Sequence, residues 1–179
     1  LEDDFIFKRI ILQEDIHNIN KYCNLNKQKI FMLSLGLLPI LYLPMDKYIN
    51  KSLLTVGAHA IIYSKPMRNN LLNNRKSINY IGDWDLYQLF VIHKYFYYKP
   101  LVYQRFEETE NQSNWPLLVG IKYLAIKYIQ FMDFKNKPQI AFENQYKIAF
   151  VIGLLFMFSV LFGMILFYIM LKKYYLTSN

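Results

Sequence analysis

Few side chains in this sequence have both the type and the spacing to do chemistry. The three histidines, His17, His59 and His93, stand far apart along the chain, and Cys23 is the single cysteine. One cysteine rules out an internal disulfide framework and a Cys-rich metal site, so Cys23 reads as an inert thiol. Asp83 and Asp85 flank Trp84, a pairing that would suit a metal or acid–base work. No matching ligand cluster accompanies them, and a turn or capping role is expected. No phosphate-binding loop, dinucleotide fingerprint, GxSxG or HExxH pattern occurs. The chain is therefore expected to have no autonomous active site.

His59 is the histidine that asks for an explanation, because it sits in the apolar stretch LLTVGAHAIIY beside Gly57 and Ala58. A buried neutral imidazole needs a partner. One answer is a backbone carbonyl or a place at a membrane interface; the other is haem iron, with small neighbours making room for the porphyrin face. His93, within the aromatic VIHKYFYY, reads as interfacial, and His17 as exposed.

The elements that must position these residues are read from hydropathy. Aromatic residues form 18% of the 179-residue chain, which excludes disorder, yet mean hydropathy is only +0.09. Hydrophobicity is thus gathered into segments separated by charged and Asn-rich stretches, the mixture of a segmental membrane protein. Lys and Arg outnumber Asp and Glu by 21 to 13, and they are scattered beside Tyr and Phe rather than blocked together. That pattern points to anionic membrane lipid and away from nucleic acid. The opening LEDDFIFKRIILQEDIHN lacks the basic start and apolar centre of a signal peptide, and without an initiator Met the chain is expected to be a processed one.

From Ile148 to Leu171 no residue is charged. As a helix this run rises roughly 36 Å, enough to cross a hydrocarbon core of about 30 Å with some tilt. Lys147 precedes it, and Lys172, Lys173, Tyr174 and Tyr175 follow, as interface residues do. Within it Ser159 and Gly163 have a small-xxx-small spacing that lets another helix approach closely, and Gly153 stands further along the run. Two earlier runs, 30–45 and 52–64, are shorter; their length fits either buried core elements or spans extended by snorkelling Lys27, Lys29, Lys51 and Lys65. Pro39 would kink the first of them. Between Met67 and Glu143 the chain is polar, then aromatic, then acidic. Its stretch 117–134 places Lys122, Lys127, Gln130 and Asp133 on one arc of a helix that would lie in the interface or pack on a partner subunit.

At GLLPILYL, Gly36 to Leu43, the chain resembles the cytochrome b small membrane-anchor subunit of mitochondrial succinate dehydrogenase, respiratory complex II. Ser52 and Leu53 stand at the distance where that family opens its second transmembrane helix, and LLTVGAHA resembles the family's haem-binding stretch. The resemblance implies an all-α membrane protein with three transmembrane helices and an interfacial insertion. It divides the chain into a matrix-side segment 1–26, a transmembrane hairpin 27–67, an insertion 68–143, and a C-terminal helix with tail 144–179. It further implies His59 as a haem b ligand, ubiquinone shared with partner subunits through unassigned residues, and a multi-pass place in the mitochondrial inner membrane. The implied partners are the second anchor subunit and the iron–sulfur and flavin subunits, and the role is non-catalytic anchoring. The alternative expectation is a supernumerary structural subunit of another respiratory or ATP-synthase complex with a single C-terminal span.

Overall fold

The computed structural model describes residues 5–7, 10–57, 60–73, 91–104 and 119–177. Along the chain run β1 (Phe5–Phe7), α1 (Gln13–Leu25), β2 (Met32–Ser34), β3 (Leu38–Pro44), β4 (Ile49–Val56), β5 (Ile61–Tyr63), α2 (Lys65–Asn73), β6 (Lys94–Tyr97), β7 (Val102–Gln104), α3 (Val119–Phe131) and α4 (Pro138–Thr177). Five strands form one sheet in the order β3-β4-β6-β2-β5, while β1 pairs separately with β7. Within the larger sheet β2 and β6 are parallel, and the other neighbouring strands are antiparallel.

The expectation of an all-α chain with three membrane spans is overturned here. The two early apolar runs supply strands, with β3 and β4 as a β-hairpin, and among the described residues one helix is long and apolar enough to cross a membrane. The physical reason lies in proline and turn chemistry. Pro39 and Pro44 lack an N–H and push Leu38 and Leu43, the residues before them, out of the helical region. On β3, an edge strand, the missing donors are tolerated. Between the strands Asp46 Oδ1 accepts the Tyr48 and Ile49 amides at 2.7 and 2.8 Å, and the Met45 amide donates to the Ile49 carbonyl. That side-chain-capped turn folds the chain back on itself. Pairing then runs from Leu38↔Val56 to Pro44↔Asn50, with irregularities around Leu41 that bend the edge.

Alternation along β6 separates two cores. Phe96 points to one face, and Tyr95 and Tyr97 to the other. On the Tyr97 face α1 lays down Ile19 against Phe31, Leu33, Ile49 and Leu101, with Tyr22 and Cys23 packed alongside. These α1 positions recur at helical spacing, so one stripe of the helix is inside. On the Phe96 face α4 packs Tyr146 and Ala149 onto Leu37 and Tyr42. A third cluster, Tyr103, Phe134, Ala141 and Phe142, closes the end where α4 begins. There the Phe134 ring meets Phe142 edge-on at 5.4 Å. Asp133, at φ 59°, ends α3 in the left-handed region and is steadied by Asn136 Nδ2 donating to its Oδ1 at 2.7 Å.

Candidate functional site

The 40 residues of α4 divide into two parts with different surroundings. From Ala141 to Gly153 the positions 141, 142, 145, 146, 149 and 153 are buried, a single stripe laid on the sheet. Gln145 Nε2 donates to the Pro39 carbonyl, and Gln145 Oε1 accepts the Tyr128 hydroxyl. Eight residues on, a Cβ at Gly153 would lie 3.3 Å from the Tyr42 carbonyl oxygen. Glycine is what permits this approach. From Leu155 to Tyr174 every residue of the helix is exposed, with Leu155 62%, Phe158 65%, Phe162 62% and Phe167 63% exposed.

These contacts fix the direction of the bare part. Gln145 lies at Pro39 and Gly153 at Tyr42, so α4 runs alongside β3 in the same sense and leaves the head past the Pro44 end. The β3–β4 turn, Met45 to Tyr48, occupies that pole. From Leu154 to Leu171 the helix rises about 27 Å, close to the hydrocarbon thickness of a bilayer. A bilayer around that segment brings the turn to headgroup level.

Beside the turn an open groove of about 850 Å³ extends back between α1 and the sheet. Its floor is Phe31, Ile49 and Tyr95, and the Tyr22 ring stands edge-on to Phe31 at 5.3 Å. Lys21 reaches it from α1, Lys29 from the α1–β2 connection, and Lys47 from the turn. Asp46 is the one carboxylate in the lining, and its Oδ1 is engaged by two backbone amides. None of the three lysines forms an ion pair among the described residues. Lys47 Nζ stands 5.0 Å over the Tyr48 ring, and hydrogen bonding to Tyr48 holds its ammonium above the ordinary lysine range. Tyr48 in turn donates to Glu14 Oε1 at 3.1 Å. Burial raises the phenol of Tyr22 and the thiol of Cys23, so both stay protonated and unreactive.

Comparison with protein-family models, curated proteins and solved structures finds no match.

The residues singled out in the sequence are scattered by the fold. His59 lies outside the described residues, as do Asp83 and Asp85. The segments flanking His59 are β4 and β5 rather than a transmembrane helix. Among the described residues no group of three or more His, Cys, Asp or Glu side chains converges on a metal position. His17 is exposed on α1, and His93 is exposed at the far rim of the groove, where its carbonyl accepts the Met32 amide at 2.9 Å. Ser159 and Gly163 lie on the bare part of α4. Ser159 Oγ donates to the Leu155 carbonyl at 2.8 Å, and a Cβ at Gly163 would meet nothing within 4 Å. The small residue used inside the chain is Gly153. On α3 Lys127 and Gln130 are exposed, but so are Tyr123, Leu124 and Phe131, while Ile129 packs against the third cluster.

Sequence reasoning missed the groove because its lysines come from three separate elements. Lys–Tyr dipeptides at 21–22 and 47–48 contribute to it, but the same dipeptide at 122–123, 127–128 and 173–174 lies elsewhere, so the pattern did not single it out.

Proposed function

We propose that this chain is a single-span structural subunit, whose α4 tethers a mixed αβ head to a membrane and sets that head against neighbouring proteins. The observation that carries this reading is the division of α4. One half is locked to β3 through Gln145, Ala149 and Gly153, and the other half is bare and uncharged over the length of a bilayer. A helix continuous across that boundary transmits the position of the membrane directly to the sheet. Leu53, Leu54 and Val56 on β4, and Tyr123, Leu124 and Phe131 on α3, leave apolar side chains uncovered on the head. Such surfaces suit contact with other subunits.

The reading takes the single-span alternative over the three-span anchor of succinate dehydrogenase, because Leu38 to Leu43 of the GLLPILYL stretch lies in β3. The mitochondrial inner membrane is the location to test first, and it follows from the sequence resemblance. The experiment is to tag the chain in its native cells, extract membranes with alkaline carbonate, and resolve a mild-detergent extract on a native gel with identification of co-migrating subunits. Retention in the carbonate pellet and migration within a larger assembly are expected. Release by carbonate, or migration as the monomer, removes the proposal. Co-migration with flavin and iron–sulfur subunits would restore the complex II role.

A further inference from the structure

The groove beside the β3–β4 turn has a chemistry that scaffolding does not require. Three lysines, Lys21, Lys29 and Lys47, line it with one carboxylate, Asp46, whose Oδ1 is held by two backbone amides; the Glu14 carboxylate lies near Lys47, and none of the three lysines forms an ion pair among the described residues. Its walls are aromatic, and its rims carry exposed apolar side chains, Leu25 at 73% and Met45 at 59%. Alternation of lysine with exposed apolar groups is the pattern of a surface at the boundary between acyl chains and headgroups. The direction of α4 puts the Met45–Tyr48 end of the groove at that boundary.

We infer that this groove holds the anionic phosphate headgroup of a phospholipid from the membrane that α4 crosses. The inference rests on the single-span reading above. Lys47, over the Tyr48 ring at the pole, meets the headgroup first. Lys21 of α1 and Lys29 of the α1–β2 connection line the groove behind it, while Met45, at the same pole, lies against the glycerol and upper acyl carbons. The cavity is large enough for a full headgroup rather than a bare ion. A phospholipid bound there fastens the α1 face of the sheet to the bilayer, opposite the face that α4 already holds, and so restrains the head from rocking about the helix.

The phosphate chemistry is shared by free phosphate and by lipid, and the test separates them. Full-length chain purified in a mild non-ionic detergent is offered phosphatidylserine, phosphatidylcholine or inorganic phosphate, and bound species are counted by native mass spectrometry. Phosphatidylserine is expected to be retained roughly a hundredfold more tightly than phosphatidylcholine, three lysines each contributing about a fivefold preference. The triple variant Lys21→Gln, Lys29→Gln, Lys47→Gln should lose that preference, and the triple arginine variant should keep it, which separates charge from a folding defect. Equal retention of the two lipids, or a preference that survives in the glutamine variant, overturns the inference. Displacement of phosphatidylserine by inorganic phosphate at millimolar concentration assigns the groove to a soluble anion and overturns the lipid assignment. Protection of the three lysines from acetylation only when an acidic partner protein co-purifies, with no lipid preference, overturns it in favour of that partner. Carbonate resistance is measured on the same samples: loss of resistance removes the single-span reading, whereas resistance without lipid preference removes only the headgroup site.

Discussion

Tyr97 donates its hydroxyl to Asp15 Oδ1 at 2.9 Å, and Lys99 Nζ reaches the same oxygen at 2.8 Å. The other oxygen of Asp15 accepts the Leu12 amide at 3.2 Å, so one carboxylate caps α1 and ties that helix to the end of β6. Asp15 is only 2% exposed. Removing it leaves a buried phenol, a partly buried ammonium and a helix-end amide without their shared acceptor. Asp15→Ala should therefore cost about 3 kcal/mol, toward the lower end for a buried pair because Lys99 can turn to water. Tyr97→Phe, which deletes one donor, should cost about 1 kcal/mol. Burial raises the Asp15 pKa, but the bonds from Lys99, Tyr97 and Leu12 outweigh it and hold the carboxyl below its ordinary 3.8. A depressed folded-state pKa stabilises the fold fully above the unfolded value and less as pH falls below it. Urea denaturation midpoints between pH 6 and pH 3 should drop more steeply for the wild type than for Asp15→Asn; parallel curves would count against this role.

Gln145 is the polar clamp in the apolar seam between α4 and the sheet. Its amide nitrogen serves the Pro39 carbonyl, which as part of an edge strand has no neighbour beyond it, and its oxygen serves the Tyr128 hydroxyl of α3. Gln145→Leu fills similar volume but strands both partners. A loss of about 2 kcal/mol is expected from the two unsatisfied groups. Hydrogen exchange of the α3 amides should quicken at the same time, since Tyr128 loses its tie to α4. Unchanged exchange in α3 would mean that the Tyr128 contact does not hold that helix.

The long C-terminal helix was legible because its signal is local and large: from Ile148 to Leu171 no residue is charged, and a helix over that run is long and apolar enough to cross a membrane; the packing of its first turns, Ala149 to Gly153, on the sheet was not. The β3–β4 hairpin was not legible as strands. Runs of this length fit a buried strand, a buried helix or a short span equally by hydropathy, and Pro39 reads as a kink in one frame and an edge-strand residue in another. What decides is Asp46 closing the turn and Gln145 meeting Pro39 across the seam, a contact between residues 106 positions apart. The Asp15–Tyr97 tie, 82 positions apart, left no trace in local pattern either. Of the candidate site, the lysine and tyrosine character was visible in composition, but its convergence on one groove depends on where α1 lies over the sheet.

Tyr103, on β7, lies in the cluster that closes the start of α4, where burial first and then the nearby Glu143 carboxylate push its phenol up to about 12. An unfolded tyrosine ionises near 10. Because the folded value is the higher one, the neutral phenol stabilises the fold fully below pH 10, and that contribution is lost as pH rises toward 12. The denaturation midpoint should fall between pH 9.5 and about 11.5, with a shallower fall in Tyr103→Phe. Absorbance at 295 nm should show one late-titrating phenol fewer in the variant than in the wild type, where Tyr22 and Tyr97 also titrate late. A wild-type titration complete by about pH 10.5 would contradict the buried assignment.

Gly153 and Gly163 lie in one helix but meet opposite surroundings. A side chain at Gly153 would press on the Tyr42 carbonyl, which the β3–β4 ladder holds in place, whereas Gly163 faces open space. Alanine gains about 1 kcal/mol of helix propensity at either position, which partly masks a steric cost at Gly153. Leucine separates the two: Gly153→Leu should lift α4 from β3 and destabilise the head by about 2 kcal/mol or more, while Gly163→Leu leaves head stability unchanged. Hydrogen exchange at the Leu41 and Tyr42 amides reports the lifting directly and is expected to quicken in the first variant alone. If Gly163→Leu instead breaks the larger assembly on a native gel while the head stays intact, the Ser159–Gly163 face is where a neighbouring helix packs, and the small-residue spacing has its use between chains rather than within this one.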